Sequence, residues 1–462
     1  MAYTYLAGEK KVRPGVYQRY TKKGTDNAVS ALNGVVAFAM AADWGPVDKV
    51  TKHETVKSIR ETYGSGDSVE AACAIMEAGA SVVYIKRLDG ANGTKGTNGT
   101  ASISTIITLN AKYPSGRSIV VTVKEKAGNA TKKQVVVKDG TTILETLEFA
   151  VHETDETESF LKAVEESAYI TAEKLSAGVI ATGDYTLTGT SPVVTAADYA
   201  DACYALEPYA YNVLTADSIN TDVFSVLCAY VKESYENGKL VVVVGGTDSD
   251  TEFTERIKNA ASCDSERIIY FGSSWTDMDG NEVKGAKAIA YVAGAIAATP
   301  ANRSIVHKTI VNATDVPEKL TNAQYIEAIN NGLLMLSIGP DGQVWFDSGI
   351  NTLLNPSDEQ DEGWKKIRRV RTRYELMDRI DRTLAPKIGN INCDADGIAY
   401  IIQSATGVIK EMIAEKKLSA GSFYEDPENP YEGDSAWFII EVDDIDSLEK
   451  IYLHYQFRYS AN

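Results

Sequence analysis

Cysteine and histidine are scarce in this 462-residue chain. The five cysteines, Cys73, Cys203, Cys228, Cys263 and Cys393, stand far apart with no CxxC pair, and His53, His152, His307 and His454 fall in no HExxH or comparable spacing. Zinc sites need closely spaced thiolate or imidazole ligands and disulfide frameworks need dense cysteine, so neither is signalled. Long apolar runs are missing too. The most apolar window, residues 286–298, is too short to span a bilayer, and the opening MAYTYLAGEKK has no basic stretch leading into an apolar one. The expectation is synthesis in the cytoplasm without a membrane anchor. Positive charge is in deficit, with 46 Lys and Arg against 64 Asp and Glu and a net charge of −18. Nucleic-acid affinity rests largely on counterion release by basic side chains, so protein partners are expected and nucleic acid is not.

Signatures of catalysis are also absent. Gly245-Gly246 and Gly272 follow strand-like runs, but neither continues as GxxxxGK[ST] or GxGxxG, and they read as glycines that turn the chain at strand ends. No GxSxG elbow occurs. Asn392-Cys393-Asp394-Ala395-Asp396-Gly397 imitates the start of a calcium loop, yet its twelfth position is Gln403, which lacks the bidentate carboxylate. A turn capped by Asp394 or Asp396 before a helix accounts for the same residues. No catalytic, cofactor-binding or metal-binding residue is therefore assigned, and no enzyme is expected.

What is present is 44% hydrophobic and 24% charged residues, the balance of a folded protein, in a chain long enough for two to four cores. Residues 1–33 are mixed and polar, interrupted by Arg13-Pro14-Gly15, and read as an extended arm with a short strand at 16–20. GVVAFAMAADWGP at 34–46 reads as a buried strand closed by a turn; a helix at 68–78 and a strand at 82–87 follow. The Gly/Asn/Thr linker GANGTKGTNGT then opens a β-rich stretch, with strands at 102–109, 119–124 and 134–137 and a helix near 158–167, ending at Ser191-Pro192. Beyond it, strands at 211–215, 240–244 and 268–272 alternate with helices at 222–235, 253–261 and 286–298, the pattern of a mostly parallel sheet. Helices at 364–384 and 398–415 and strands at 436–442 and 451–459 complete the chain. The fold class read from this is α/β and α+β multidomain. An α/β core (34–96 and 193–355) carries an inserted β-rich domain (97–192), a C-terminal α+β domain (356–462) and an N-terminal arm (1–33).

Two features point outward. Lys365, Lys366, Arg368, Arg369, Arg371 and Arg373 crowd the start of a helix whose apolar stripe is Ile367, Val370, Tyr374, Met377 and Ile380. Such clustering opposes the helix dipole. It fits either a solvated face paired with Glu375, Asp378 and Asp381 or a patch that docks an acidic protein surface. The last strand alternates, with Ile451, Leu453, Tyr455, Phe457 and Tyr459 on one face. An extended arm and an aromatic terminal strand are what strand addition between subunits requires, and pairing within one subunit fits the same periodicity.

Several stretches, in order, resemble the tail sheath proteins of contractile phages and phage-tail-like particles of the Gram-positive type. Arg13-Pro14-Gly15-Val16-Tyr17 resembles their opening arm, residues 34–46 their first strand and turn, and GASVVYIKRL at 79–88 the strand closing their first subdomain. AKYPSGR at 111–117 is similar to the start of their insertion, and residues 320–353, with Ile350-Asn351-Thr352-Leu353, to their helix, turn and closing phrase. The Asp394 turn and IDSLEKIYL at 445–453 resemble their C-terminal domain.

The resemblance implies a structural subunit assembled in the bacterial cytoplasm as stacked rings of six around an inner tail tube protein, with baseplate and tail terminator proteins as further partners. Contraction would drive the tube through a target envelope. It also implies strand addition by the arm and the tail, here through Val12, Val16, Tyr17, Tyr20, Ile451, Leu453, Tyr455, Phe457 and Tyr459. The C-terminal domain would face the tube, with the basic run as the expected contact, and the insertion would face outward. The competing expectations are another self-assembling shell or surface-layer protein and, behind it, an α/β enzyme.

Overall fold

The computed structural model describes residues 3–4, 17–18 and 34–458. Tyr3–Thr4 and Tyr17–Gln18 pair in parallel. Val12, Val16, Tyr20 and Tyr459, expected to take part in strand addition, lie outside the described residues.

The core is a seven-stranded sheet in the spatial order Leu333–Leu334, Ile268–Phe271, Val242–Gly246, Val213–Ala216, Val35–Met40, Val82–Arg87 and Val50–His53. Every neighbouring pair is parallel except the last, which is antiparallel. Val35–Met40, Val213–Ala216, Val242–Gly246 and Ile268–Phe271 are buried along their whole length, as strands covered on both faces must be. The period of two is visible in the packing. Val36, Phe38 and Met40 enter one core with the helices Asp67–Glu77 and Gly285–Ala298; Val35, Ala37 and Ala39 enter another with Ala196–Leu206 and Thr221–Glu236.

The helix Gly285–Ala298 is rich in Ala and Gly and packs closely on Asp67–Glu77. A Cβ at Gly294 would lie 2.3 Å from the carbonyl oxygen of Ile75. Gly294→Val is therefore expected to force these helices apart and cost about 3 kcal/mol or more, read as a lowered urea midpoint. A midpoint equal to wild type would contradict this packing. Gly246 is likewise set by close approach, with φ of +145° and the Phe271 carbonyl where a Cβ would sit.

Residues 97–190 form a second seven-stranded sheet, wholly antiparallel, ordered Thr142–Ala150, Lys132–Asp139, Ile119–Glu125, Gly183–Thr190, Thr97–Ile103, Ile107–Pro114 and Ile170–Lys174. The helix Thr157–Glu165 covers one face through Phe160 and Val164. The strand expected at 102–109 is instead a hairpin: Ser104 takes a left-handed φ of +50° and the chain reverses between Ile103 and Ile107. Arg87 ties this sheet to the core. Its guanidinium is fully buried and donates to the carbonyls of Ala42 (2.6 Å) and Gly45 (2.5 Å) on one side and of Pro114 (2.7 Å) on the other.

The C-terminal part consists of the helices Ile367–Leu384 and Ala395–Ala414 and the antiparallel hairpin Leu418–Glu425 with Phe438–Asp444. Asp394 caps the second helix by accepting the Gly397 N–H at 2.9 Å, the role read for it in the sequence. The first helix joins two cores, giving Ile367, Val370 and Tyr374 to the main one and Leu376 and Ile380 to a smaller one with the hairpin. Met377, expected in the stripe, is 42% exposed; Leu376 takes its place.

Candidate assembly surface

The hairpin Leu418–Glu425/Phe438–Asp444 is a two-stranded sheet. Among the described residues no third strand joins it, so each strand keeps one edge of backbone donors and acceptors unpaired in a ladder, the template for adding another chain. Beside it runs a groove of about 1430 Å³ whose apolar lining includes Leu376, Ile380, Leu384, Leu418, Ile440 and Val442.

Past Ile445, whose N–H donates to the Lys417 carbonyl at 3.0 Å, the chain leaves regular structure. Of the strand expected at 451–459, residues 451–458 sit in no ladder among the described residues. A strand needs a neighbour for its backbone groups, and this segment has none among the described residues. Ile451, Leu453, Tyr455 and Phe457 are all largely exposed, Phe457 to 92%. The rings of Tyr455 and Phe457 lie 6.1 Å apart and within 13° of parallel, so the two residues share a face, as alternation in an extended segment requires.

The basic run has a different fate from the one expected. Lys366 pairs with Asp446 at 2.6 Å and Glu449 at 3.0 Å. Arg369 grips Asp444 with two hydrogen bonds of 2.8 and 2.5 Å, and Arg373 reaches Asp444 at 3.2 Å and Asp361 at 2.9 Å. Arg371 is buried and donates to the carbonyls of Ala297 and Thr299 at the end of the central helix; burial pushes its guanidinium down to about 10. Arg368 is only 5% exposed, with Asp446 at 3.8 Å and its Nε and Nη1 unpartnered. Lys365 pairs with Glu362 at 2.9 Å.

In this conformation the six cations therefore have partners within the chain. Their partners also differ from those expected on the same helix, since Glu375 pairs with Arg379 and Lys417, and Asp378 with Arg382. Half-burial acts to raise the Asp444 carboxyl, but the hydrogen bonds and charges of Arg369 and Arg373 hold it below its usual value. The acidic stretch EVDDIDSLE at 441–449 was the available signal. It is the charge complement of KKIRRVR at 365–371.

Among the described residues no group of three or more His, Cys, Asp or Glu is placed to hold a metal. Among the described residues no helix is long and apolar enough to cross a membrane.

Comparison with known proteins accounts for this arrangement of sheets. Residues 193–352 match the family model of the phage tail sheath protein central domain. The phage-like element PBSX protein XkdK of Bacillus subtilis is 24% identical over 98% of both chains. A sheath tail protein of Desulfitobacterium hafniense has the same fold with a TM-score of 0.72 at 18% identity, over 93% of this chain and all of that one. The helical sheath of the anti-feeding prophage in its contracted state aligns with a TM-score of 0.56 at 11% identity, over 97% and 99% of the two chains. Residues 193–352 thus match the phage tail sheath protein central domain, within a chain that has the fold of sheath tail proteins over almost its whole length.

Proposed function

We propose that this chain is the structural subunit of a contractile tail sheath and works by repacking, not by catalysis. It polymerises as stacked six-membered rings around an inner tube, engages baseplate and terminator proteins, and shortens to drive the tube through a cell envelope. Residues 451–459 add as a strand to an open edge of a neighbour's C-terminal hairpin, and the arm around 12–20 adds to another. The observation that carries this reading is the juxtaposition of an unpaired alternating tail and a two-stranded sheet with open edges, in a chain of sheath fold.

Strand addition suits a sheath because main-chain hydrogen bonds tolerate rotation of the bodies they tether. Energy need not come from a nucleotide, since subunits assembled on a template can be trapped in a higher-energy packing and released cooperatively. The anti-feeding prophage sheath, which has this fold, forms a helical assembly with a contracted state. That supports extending helical assembly to this chain.

Negative-stain microscopy of the expressed chain tests the proposal. Hollow tubes or stacked rings are expected. Monodisperse monomers at every salt and protein concentration, alone and with the tube protein, would overturn it.

A further inference from the structure

The root of the tail is attached differently from every other part of the C-terminal domain. The helices and hairpin are held by backbone ladders and a shared apolar core. From Asp446 to Glu449, by contrast, no backbone hydrogen bond to the body occurs among the described residues; the contacts are side-chain ones. Asp446 and Glu449 both meet the Lys366 ammonium, and Glu449 also accepts from the Ser304 hydroxyl at 3.3 Å. The two ion pairs are partly open to water, with side-chain exposures of 30% for Lys366, 34% for Asp446 and 21% for Glu449. Behind them lies the buried Arg368 guanidinium with two unpartnered N–H groups, 3.8 Å from Asp446.

From these contacts we infer that residues 446–449 form a salt-releasable strap that seats the tail on the basic helix and sets the direction in which 451–458 leave the subunit. Attachment chiefly by ion pairs, with the single Ser304 hydrogen bond beside them, has a physical consequence. Ladders and apolar cores are little affected by ionic strength, whereas partly exposed ion pairs weaken as salt screens them. The strap can therefore open without unfolding the hairpin beside it. Arg368 gives Asp446 a second cation to close on when the tail is re-aimed, so the seat has room for more than one tail direction. For a subunit that must keep hold of a neighbour while rotating, the strap would regulate the reach of the linking strand. That last step rests on the proposed function; the strap itself does not.

Lys450, exposed and one residue past the strap, offers a direct readout. Trypsin must draw several residues on both sides of a scissile bond into an extended form, so cleavage after Lys450 in the isolated full-length chain reports release of 446–449. Cleavage after Lys95 in the exposed linker serves as the internal reference. Lys366→Gln removes both ion pairs without altering the sequence around the scissile bond. It is expected to speed cleavage after Lys450 about fivefold at low salt, the factor suited to two partly exposed pairs. Raising salt to about 0.5 M should bring the wild type close to the variant and change the variant much less, since only the longer Arg368–Asp446 contact remains in it. Equal rates in both proteins at low salt, with circular dichroism showing both folded, would overturn the strap. If Lys366→Gln fails to fold, the salt dependence of the wild type alone decides, and a flat profile overturns it. Tubes with no strap effect would sink only this inference; a strap effect with no tubes would sink only the sheath reading.

Discussion

Truncation after Lys450 is expected to abolish tube formation while leaving the subunit as stable as the intact chain to within about 0.5 kcal/mol. The second half follows from the tail's surroundings: Ile451, Leu453, Tyr455 and Phe457 are exposed, and residues 451–458 belong to no ladder among the described residues. The first half follows from what they would bury on a neighbour. Each large apolar side chain taken fully out of water contributes about 1.5 kcal/mol or more, so four contribute about 6 kcal/mol before ordering costs. That is a factor of about 10⁴ in association. Sedimentation and microscopy of the truncated chain check assembly, and urea unfolding checks stability. A truncated chain that still forms tubes would remove the tail from the lattice, and one that loses several kcal/mol would make the tail part of its own subunit's fold.

The second large effect is expected at Arg87. Its buried guanidinium satisfies three carbonyls, two in the loop after the first core strand and one at Pro114 on the inserted sheet. Burial pulls it down to about 10, so at neutral pH it is charged. Arg87→Ala leaves those acceptors without a donor and opens a cavity, with an expected loss of about 3–5 kcal/mol. Trp44 against Tyr113 and Tyr169, Asp43 accepting from Gly116, Arg117 and Ser191, and Arg117 donating to the Ser65 carbonyl at 2.6 Å would then remain as ties between the two sheets. Urea denaturation measures the loss; a change below about 1 kcal/mol would show that Arg87 does not bear on stability as its contacts imply.

How much of this was legible beforehand depends on where the physics is local. The buried strands at 35–40, 242–246 and 268–271 announce themselves as unbroken apolar runs, and the basic helix as a 3.6-residue stripe. The hairpin at Ile103–Ile107 did not, because Ser104-Thr105-Ile106 carries no Gly, Asn or Pro to mark a turn. The strand Leu418–Glu425 also escaped, since only Leu418 and Phe423 are buried and its alternation is faint. The helix Ala196–Leu206 had a readable start, with Asp198 accepting the Thr195 N–H at 2.7 Å in a Thr-x-x-Asp pattern, and it was overlooked.

The site divides the same way. Exposure of the tail's alternating face followed from its sequence. Glu449 for Lys366 and Asp444 for Arg369 and Arg373 are 71 to 83 residues away, so no spacing rule on the helix could supply them. Only the complementarity of two distant charge runs held that information, and charge runs read singly suggest solvent or an outside partner.

The measurement that bears most directly on the central claim is a helical reconstruction of the assembled tubes by electron cryo-microscopy. The account predicts residues 451–457 as an added strand on an edge of a neighbouring subunit's hairpin, with Ile451, Leu453, Tyr455 and Phe457 turned to one face. Tubes in which this segment pairs with the hairpin of its own subunit, or lies outside any sheet, would contradict it.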